Sequence, residues 1–331
     1  MIDADPFFIF AIECNAFIII CSTQNVCGAV HGMLNYSRIK RDNSQETRGI
    51  IMLVTLKELL AIAEAENKAI GSFTCPNMEI AMGTIRAAEE MESPIIIQIA
   101  EGRLKHTPLD MIGPLMVQAA KDAKVKIAVH LDHGLTAEKA AEALGYGFTS
   151  IMFDGSHYSL QGNIDKTNEV ARLARAAGAS VEAELGTIGG KEATEREEVS
   201  KYTDVEEART FAANADIVAL AVAIGNAHGH YKGIPKLNFE RLTELKEAVG
   251  LPLVLHGGSG ISDEDFRKAI TLGVRKINIA TASMDACINC AGAYMAQPGE
   301  HDYYGFNEAI VQGVYENVKH CIKVFNNKEP L

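Results

Sequence analysis

The 331-residue chain has no excess of positive charge: 31 Lys and Arg stand against 43 Asp and Glu, a formal charge of −12. That balance gives no global field for the phosphate backbone of DNA or RNA, so a bound anion needs a local site. A paired cysteine framework is missing as well. The seven cysteines (Cys14, Cys21, Cys27, Cys75, Cys287, Cys290 and Cys321) are odd in number and three crowd the first 27 positions. This usage fits a reducing, cytoplasmic compartment better than a disulfide scaffold. Cys287 and Cys290 form a lone C-x-x-C without a second pair and read as helix-borne thiols. No uninterrupted apolar run is long enough to span a bilayer. Phe7 to Cys27 is broken by Glu13, Asn15 and Gln24, and no Lys or Arg precedes Arg38, so neither a membrane span nor a secretory leader is expected.

What is present is an ordinary globular composition, 47% hydrophobic and 22% charged, enough for a large core. Residues 1–51 differ in character from the rest and read as an extension, either family-specific or an over-extended reading frame with Met52 as the start. From Lys68 onward, short β-branched runs alternate with helix-period segments. The expected strands are 69–73, 94–99, 126–131, 150–154, 180–184, 217–223, 252–256 and 276–279. The expected helices between them are 78–91, 109–123, 137–144, 163–177, 205–213, 239–249 and 263–272. Strands apolar on both faces and alternating with helices specify a parallel sheet. Eight repeats predict a closed (β/α)8 TIM barrel over 52–331. No G-x-G-x-x-G follows the first strand, which disfavours a doubly wound sheet.

Polar residues collect at the carboxyl ends of these strands, the catalytic rim of such a barrel. His133, His228 and His256 end strands three, six and seven, and three converging imidazoles suit a catalytic zinc or a similar divalent ion. Asp132 precedes a ligand candidate and is placed to exchange a proton with a substrate hydroxyl. Asp154 and Glu184 read as acceptors orienting the histidines or as an alternate metal position, and Glu182 as a salt-bridge partner. The remaining histidines take structural or surface roles. Gly257, Gly258 and Ser259 after strand seven, with Asn278, Ile279, Ala280 and Thr281 on strand eight, occupy the usual phosphate position of a barrel. The polar stretch 187–204 after strand five reads as a solvated loop or a lid.

The segments Val129-His130-Leu131-Asp132-His133-Gly134, Met152-Phe153-Asp154-Gly155-Ser156-His157, Val181-Glu182-Ala183-Glu184-Leu185-Gly186, Ala227-His228-Gly229 and Leu255-His256-Gly257-Gly258-Ser259-Gly260 together resemble the class II ketose-bisphosphate aldolases. The resemblance runs from about Met52 past Thr281. It implies one catalytic zinc ion, with room for a second divalent or monovalent cation, and reversible cleavage of a ketose (bis)phosphate to dihydroxyacetone phosphate and an aldehyde through a metal-stabilised enediolate. With fructose or tagatose bisphosphate the aldehyde is glyceraldehyde 3-phosphate. Carried over, the zinc ligands are His133, His228 and His256, the proton-transfer residue is Asp132, and Asp154 and Glu184 are the second metal position or carboxylate shell. The dihydroxyacetone-phosphate contacts are Gly229, Gly257 to Ser259 and Asn278 to Thr281. A small sugar phosphate, no nucleic acid, no membrane, and a homodimer or homotetramer are the implied partners.

Three departures concern the other half of the substrate: Thr74 and Ala100 replace the asparagine and serine usual after strands one and two, and Tyr303-Tyr304 lies where an arginine is usual. Other readings stay open: a Schiff-base aldolase using Lys276 or Lys232, a metal-dependent hydrolase on the same barrel, and a non-catalytic partner subunit of an aldolase.

Overall fold

The computed structural model describes residues 52–190, 201–231 and 233–328. The extension 1–51, part of the expected loop or lid and Lys232 lie outside them. Helix α1 (Leu56–Ala65) opens the described chain with Thr55 at its N-cap. The Thr55 side chain accepts from Glu58 N, and the Glu58 carboxylate accepts from Thr55 N at 2.8 Å, so two otherwise orphaned donors are satisfied. The elements then alternate: β1 (Ile70–Thr74), α2 (Met78–Glu90), β2 (Ile95–Ala100), α3 (Leu109–Asp122), β3 (Ile127–Gly134), α4 (Ala137–Gly145), β4 (Ser150–Phe153) and α5 (Leu160–Ala176). They continue as β5 (Ser180–Leu185), α6 (Val205–Asn214), β6 (Ala219–Val222), α7 (Phe239–Val249), β7 (Leu253–Leu255), α8 (Asp263–Thr271) and β8 (Val274–Ile279), closing with α9 (Thr281–Met295) and α10 (Tyr303–Phe325). All neighbouring strands pair in parallel, and β8 returns to β1, giving the closed (β/α)8 barrel expected.

The sheet separates two apolar regions. Outside it, Ile95, Ile97 and Ile99 of β2 and their counterparts pack under the helices. Inside, Ile70, Ile96, Ala128, Ala219, Ala221 and Val254 meet Leu56, Leu59 and Leu60 of α1, so the first helix plugs the amino-terminal mouth. Above that plug the interior turns polar: Ser72, Gln98, His130, Glu182 and Lys276 are all buried. The expectation of strands apolar on both faces therefore holds only for their lower halves. Buried polar groups are tolerated where they find polar partners: Ser72 pairs with Gln98, Lys276 with Glu182, and His130 Nδ1 with Ser150.

Helix α9 carries Cys287 and Cys290, the thiols expected on a helix, but its bounds and the full length of α10 were not legible. The apolar segment 310–324 is core of this chain: Val314, Val318, Ile322 and Phe325 are buried, and Phe325 O accepts from Ala69 N at 3.0 Å. Gly83 on α2 makes that docking close, because a Cβ there would stand 2.3 Å from Val314 Cγ1 and 2.5 Å from the Val311 carbonyl oxygen. Alanine gains up to about 1 kcal/mol of helix propensity over glycine, whereas overpacking costs ~1–3 kcal/mol, and a backbone oxygen cannot rotate away. Gly83→Ala is thus expected to lower the melting temperature by several degrees in calorimetry; an unchanged transition would contradict this packing.

Candidate active site and metal centre

A break in the pleat of β3 builds the centre of the site. Regular alternation would send Asp132 and His133 to opposite faces of the sheet. Instead the pairing of β3 with β4 shifts register between Leu131 and Gly134, and His133 adopts a left-handed backbone (φ 44°). A bulge of this kind re-aims a side chain, and here both consecutive residues are buried at the barrel mouth. Asp154 N donates to Gly134 O at 2.9 Å, which ties the end of β4 to the bulge.

Three imidazoles meet there. The ring centroids of His133 lie 4.9 Å from His228 and 4.8 Å from His256, and those of His228 and His256 are 5.8 Å apart, all edge to face. One nitrogen from each ring falls within 4.8 Å of the others, while ideal tetrahedral zinc at the usual bond length sets its nitrogens about 3.4 Å apart. His133 Nδ1 is 2.7 Å from Asp154 Oδ2, and His256 Nε2 is 2.9 Å from Glu182 Oε1. Carboxylates only accept, so each ring carries a hydrogen on that nitrogen and turns its other nitrogen inward. Those inward atoms, His133 Nε2 and His256 Nδ1, face each other at 3.0 Å. Two acceptors so placed call for positive charge between them, a proton or a cation. His228 Nε2 is buried without a hydrogen-bond partner, a third atom offering a lone pair. The donor set fits a divalent ion that takes nitrogen ligands.

The electrostatics agree. Burial, with the neighbouring His133 ring, holds His228 and His256 well below the ordinary imidazole range, hence neutral as ligands must be. Burial alone would also depress His133, but the carboxylates of Asp132, Asp154 and Glu184 outweigh it and push that ring up to about 10. Among these coupled rings the proton settles on His133, because it is the one ringed by carboxylates. Burial would raise Asp154, yet its bonds to His133 and Ser156 hold it well below the usual carboxylate range. Glu184 is raised, first by burial and then by Asp154, and its Oε2 has no hydrogen-bond partner, lying 3.9 Å from His133 Nδ1. His133, Asp154 and Glu184 form a second group that could hold a cation.

Asp132 stands beside this centre, accepting from Gln98 Nε2 at 2.9 Å and Asn278 Nδ2 at 3.1 Å. Gln98 in turn contacts Ser72 Oγ and donates to Thr74 Oγ1 at 3.3 Å. The loops carrying His228 and His256 are pinned together. Asn226 Nδ2 donates to His256 O at 3.1 Å, and Tyr231 Oη accepts from Ala227 N and donates to Gly257 O, both at 2.9 Å. Of these supports, Asn278 was already among the expected strand-eight residues, and Gln98 is marked as a lone amide in an otherwise apolar strand. Asn226 and Tyr231 act through loop carbonyls and amides that no spacing reveals.

A cavity opens next to Asp132, lined by Gln98, Asp132, His228, Gly229, Gly257, Ser259, Asn278, Ala280 and Thr281. Six of the expected phosphate-side residues share it with Asp132, the expected proton-transfer residue, and with the ligand candidate His228. Gly258 and Ile279 do not: Gly258 N is spent on Asn278 O at 3.1 Å, and the Ile279 side chain is core. Gly257 needs its glycine, since φ is 62° and a Cβ would come within 2.1 Å of the Ala227 carbonyl oxygen. Helix α9 starts at this cavity without a side-chain cap from Ala280, and Ser259 Oγ accepts from Ala282 N at 2.9 Å instead. The first turn is a natural anion seat.

Among the other expectations, His130 is buried, its Nδ1 2.7 Å from Ser150 Oγ. Cys287 is buried on α9, where loss of solvent pushes its thiol up to about 11. The base of the polar stretch after β5 is closed by Thr187 and Lys201, which exchange two backbone hydrogen bonds. Lys276 Nζ lies 2.7 Å from Asn278 Oδ1 and 2.9 and 3.2 Å from the two Glu182 oxygens. Enclosed in that way it has no access to a carbonyl, which counts against the Schiff-base reading. No helix among the described residues is long and apolar enough to cross a membrane.

Comparison with known proteins points the same way. Residues 54–330 match the family model described as fructose-bisphosphate aldolase class-II. A 6-phospho-5-dehydro-2-deoxy-D-gluconate aldolase of Halalkalibacterium halodurans is 38% identical over 279 residues, 82% of this chain and 96% of its own. A probable fructose-bisphosphate aldolase of Bacillus subtilis is 39% identical over 256 residues, covering 76% and 89%. Among solved structures, the YdjI aldolase from Escherichia coli K12 superposes with a TM-score of 0.74 at 35% identity, over 83% of this chain and 97% of that one. The chain belongs to the class-II fructose-bisphosphate aldolase family and is an aldolase.

Proposed function

We propose that this aldolase is a zinc enzyme that reversibly splits a ketose phosphate into dihydroxyacetone phosphate and an aldehyde. The observation that carries the reading is one cavity wall shared by Asp132, one of the three converging imidazoles and the glycine-rich anion seat. His133, His228 and His256 would hold the ion, with Asp154 and Glu184 as outer acceptors or a second cation position. Zinc bound there supplies a Lewis acid for the negative charge that develops on the ketose carbonyl oxygen.

The chain's own groups do the rest. The seat formed by Gly257, Ser259 and the first turn of α9 holds the phosphate and fixes the three-carbon half in place. Asp132 accepts the C4 hydroxyl proton as the C3–C4 bond breaks; C4 becomes the aldehyde carbonyl, the bonding electrons stay with C3, and C3 takes a proton from water while Asp132 releases its own to water. Gln98 and Asn278 aim the carboxylate at that hydroxyl. In condensation Asp132 returns the proton.

For the aldehyde half we infer a substrate without a second phosphate. Thr74 is buried and engaged with Gln98, Ala100 offers no donor, and Tyr303 and Tyr304 are 72% and 83% exposed with no guanidinium. A distal phosphate favours a guanidinium or a cluster of donors. The name of the Halalkalibacterium relative describes a monophosphate, which supports this choice. The match of the family model from residue 54 supports 52–331 as the catalytic domain and 1–51 as an extension.

The test is a condensation assay with zinc, dihydroxyacetone phosphate and a panel of aldehydes. Carbon–carbon bond formation is expected, faster with unphosphorylated aldehydes than with glyceraldehyde 3-phosphate. Exhaustive chelation should cut the rate by at least about a hundredfold, the order of effect of removing a principal stabiliser of transition-state charge, and added zinc should restore it. Activity that survives chelation, together with borohydride trapping of substrate on Lys276, would overturn the reading.

A further inference from the structure

Lys276 is fully buried inside the barrel, one layer beneath the imidazoles, and the chemistry proposed above makes no use of it. Its ammonium can only donate, and its partners can only accept at the atoms it touches. On one side it faces both oxygens of Glu182, whose Oε1 holds His256 Nε2 at 2.9 Å. That contact keeps a hydrogen on Nε2 and leaves Nδ1 as the inward lone pair. On the other side it takes Asn278 Oδ1 at 2.7 Å, which forces the amide nitrogen to the opposite direction, where it donates to Asp132 at 3.1 Å. Without the lysine the amide could flip, and the carboxylate would then meet an oxygen.

We propose that Lys276 is a positioning residue that holds the ligand His256 and the base Asp132 in register with each other, through Glu182 and Asn278 respectively. The inference rests on the reading of the site as a zinc aldolase. Stability alone does not account for the arrangement, since a buried ion pair of this kind is often replaceable by apolar side chains at no net loss. What apolar side chains cannot do is specify a tautomer and an amide orientation at once.

The test separates the two arms with purified full-length protein. Glu182→Gln cuts the arm to the metal site and is expected to weaken zinc binding about 10–100-fold in competition with a chromophoric chelator, with altered visible bands in the cobalt-substituted protein. Lys276→Met combined with Glu182→Gln removes both charges, so that no unpaired charge stays buried. At saturating zinc, kcat of the double variant should fall a further tenfold or so below Glu182→Gln, with KM for dihydroxyacetone phosphate little changed. A double variant matching Glu182→Gln in kcat, or a Glu182→Gln protein binding zinc like the wild type, overturns the proposal.

Should the double variant not fold, Asn278→Asp reads the second arm. It keeps a partner for Lys276 while taking the donor from Asp132; because Asn278 Nδ2 also lies 3.2 Å from His256 Nε2, the variant is read at saturating zinc, where kcat should drop at least about tenfold; an undiminished kcat overturns the proposal. Wild-type protein in the same zinc titration and condensation assay reports separately on the zinc-aldolase reading. If the wild type neither binds zinc nor condenses, that reading fails, and this inference fails with it.

Discussion

Asp132→Ala is expected to keep its zinc and lose turnover by about 10²–10⁴-fold, the usual worth of a placed general base. The two halves of that result have different physical origins. Asp132 is not among the atoms that converge with the three imidazoles, so its removal leaves the donor set intact. Its carboxylate is, however, the titratable group on the cavity wall that receives hydrogen bonds from both Gln98 and Asn278. Alanine leaves those two donors facing a void, which costs ~1–3 kcal/mol of stability for each one left unsatisfied. A folded variant with stoichiometric zinc by elemental analysis and a collapsed kcat is the expected outcome. A variant with near-normal rate would remove Asp132 from the proton-transfer role.

His256→Ala should behave in the opposite manner, losing the metal first and activity as a consequence. Loss of an outer partner of a metal ligand costs about 10–100-fold in affinity, and loss of the ligand itself should exceed that. The zinc titration has a pH signature too. Without metal, His133 is held at about 10 by its carboxylates, so at neutral pH a proton occupies the position between the rings. Zinc must displace it, because ligating imidazole is neutral. Apparent affinity should therefore rise with pH across the range below about 10, approaching a tenfold gain per unit, with one proton released per ion bound. Calorimetry in buffers of different ionisation enthalpy measures that proton. Affinity independent of pH between 6 and 8 would mean that His133 is already neutral in the metal-free protein.

Most of the architecture could be read from residue order because each strand carries its own β-branched run and each helix its own period. The eight strands observed all overlap those expected, and His133, His228 and His256 do meet. What could not be read is what depends on the third dimension alone. The bulge in β3 leaves no mark in Leu131-Asp132-His133-Gly134 beyond a glycine. Glu182 looked like a salt-bridge partner and is one, but only closure of the barrel brings it against His256 as well as Lys276. Lys276 was a candidate nucleophile only under the Schiff-base alternative, and its burial among three close oxygens depends on closure of the barrel. Ile279 and Gly258 were grouped with the anion seat by adjacency, whereas the pleat turns Ile279 outward into the core and Gly258 spends its amide within the backbone. The extent of helix α9 was hidden because its apolar residues cover no single stripe.

The irregularity in β3 also bears on how such a site tolerates change. Two neighbouring side chains look into the same mouth only because one extra residue is accommodated there. Residue count is therefore as much a part of this catalyst as residue identity: excising a single codon at this point would restore an even pleat and swing one of the two groups toward the outer helices. Shuffled libraries spliced through β3 should yield dead proteins that still fold, while splices through the helices leave the chemistry where it was.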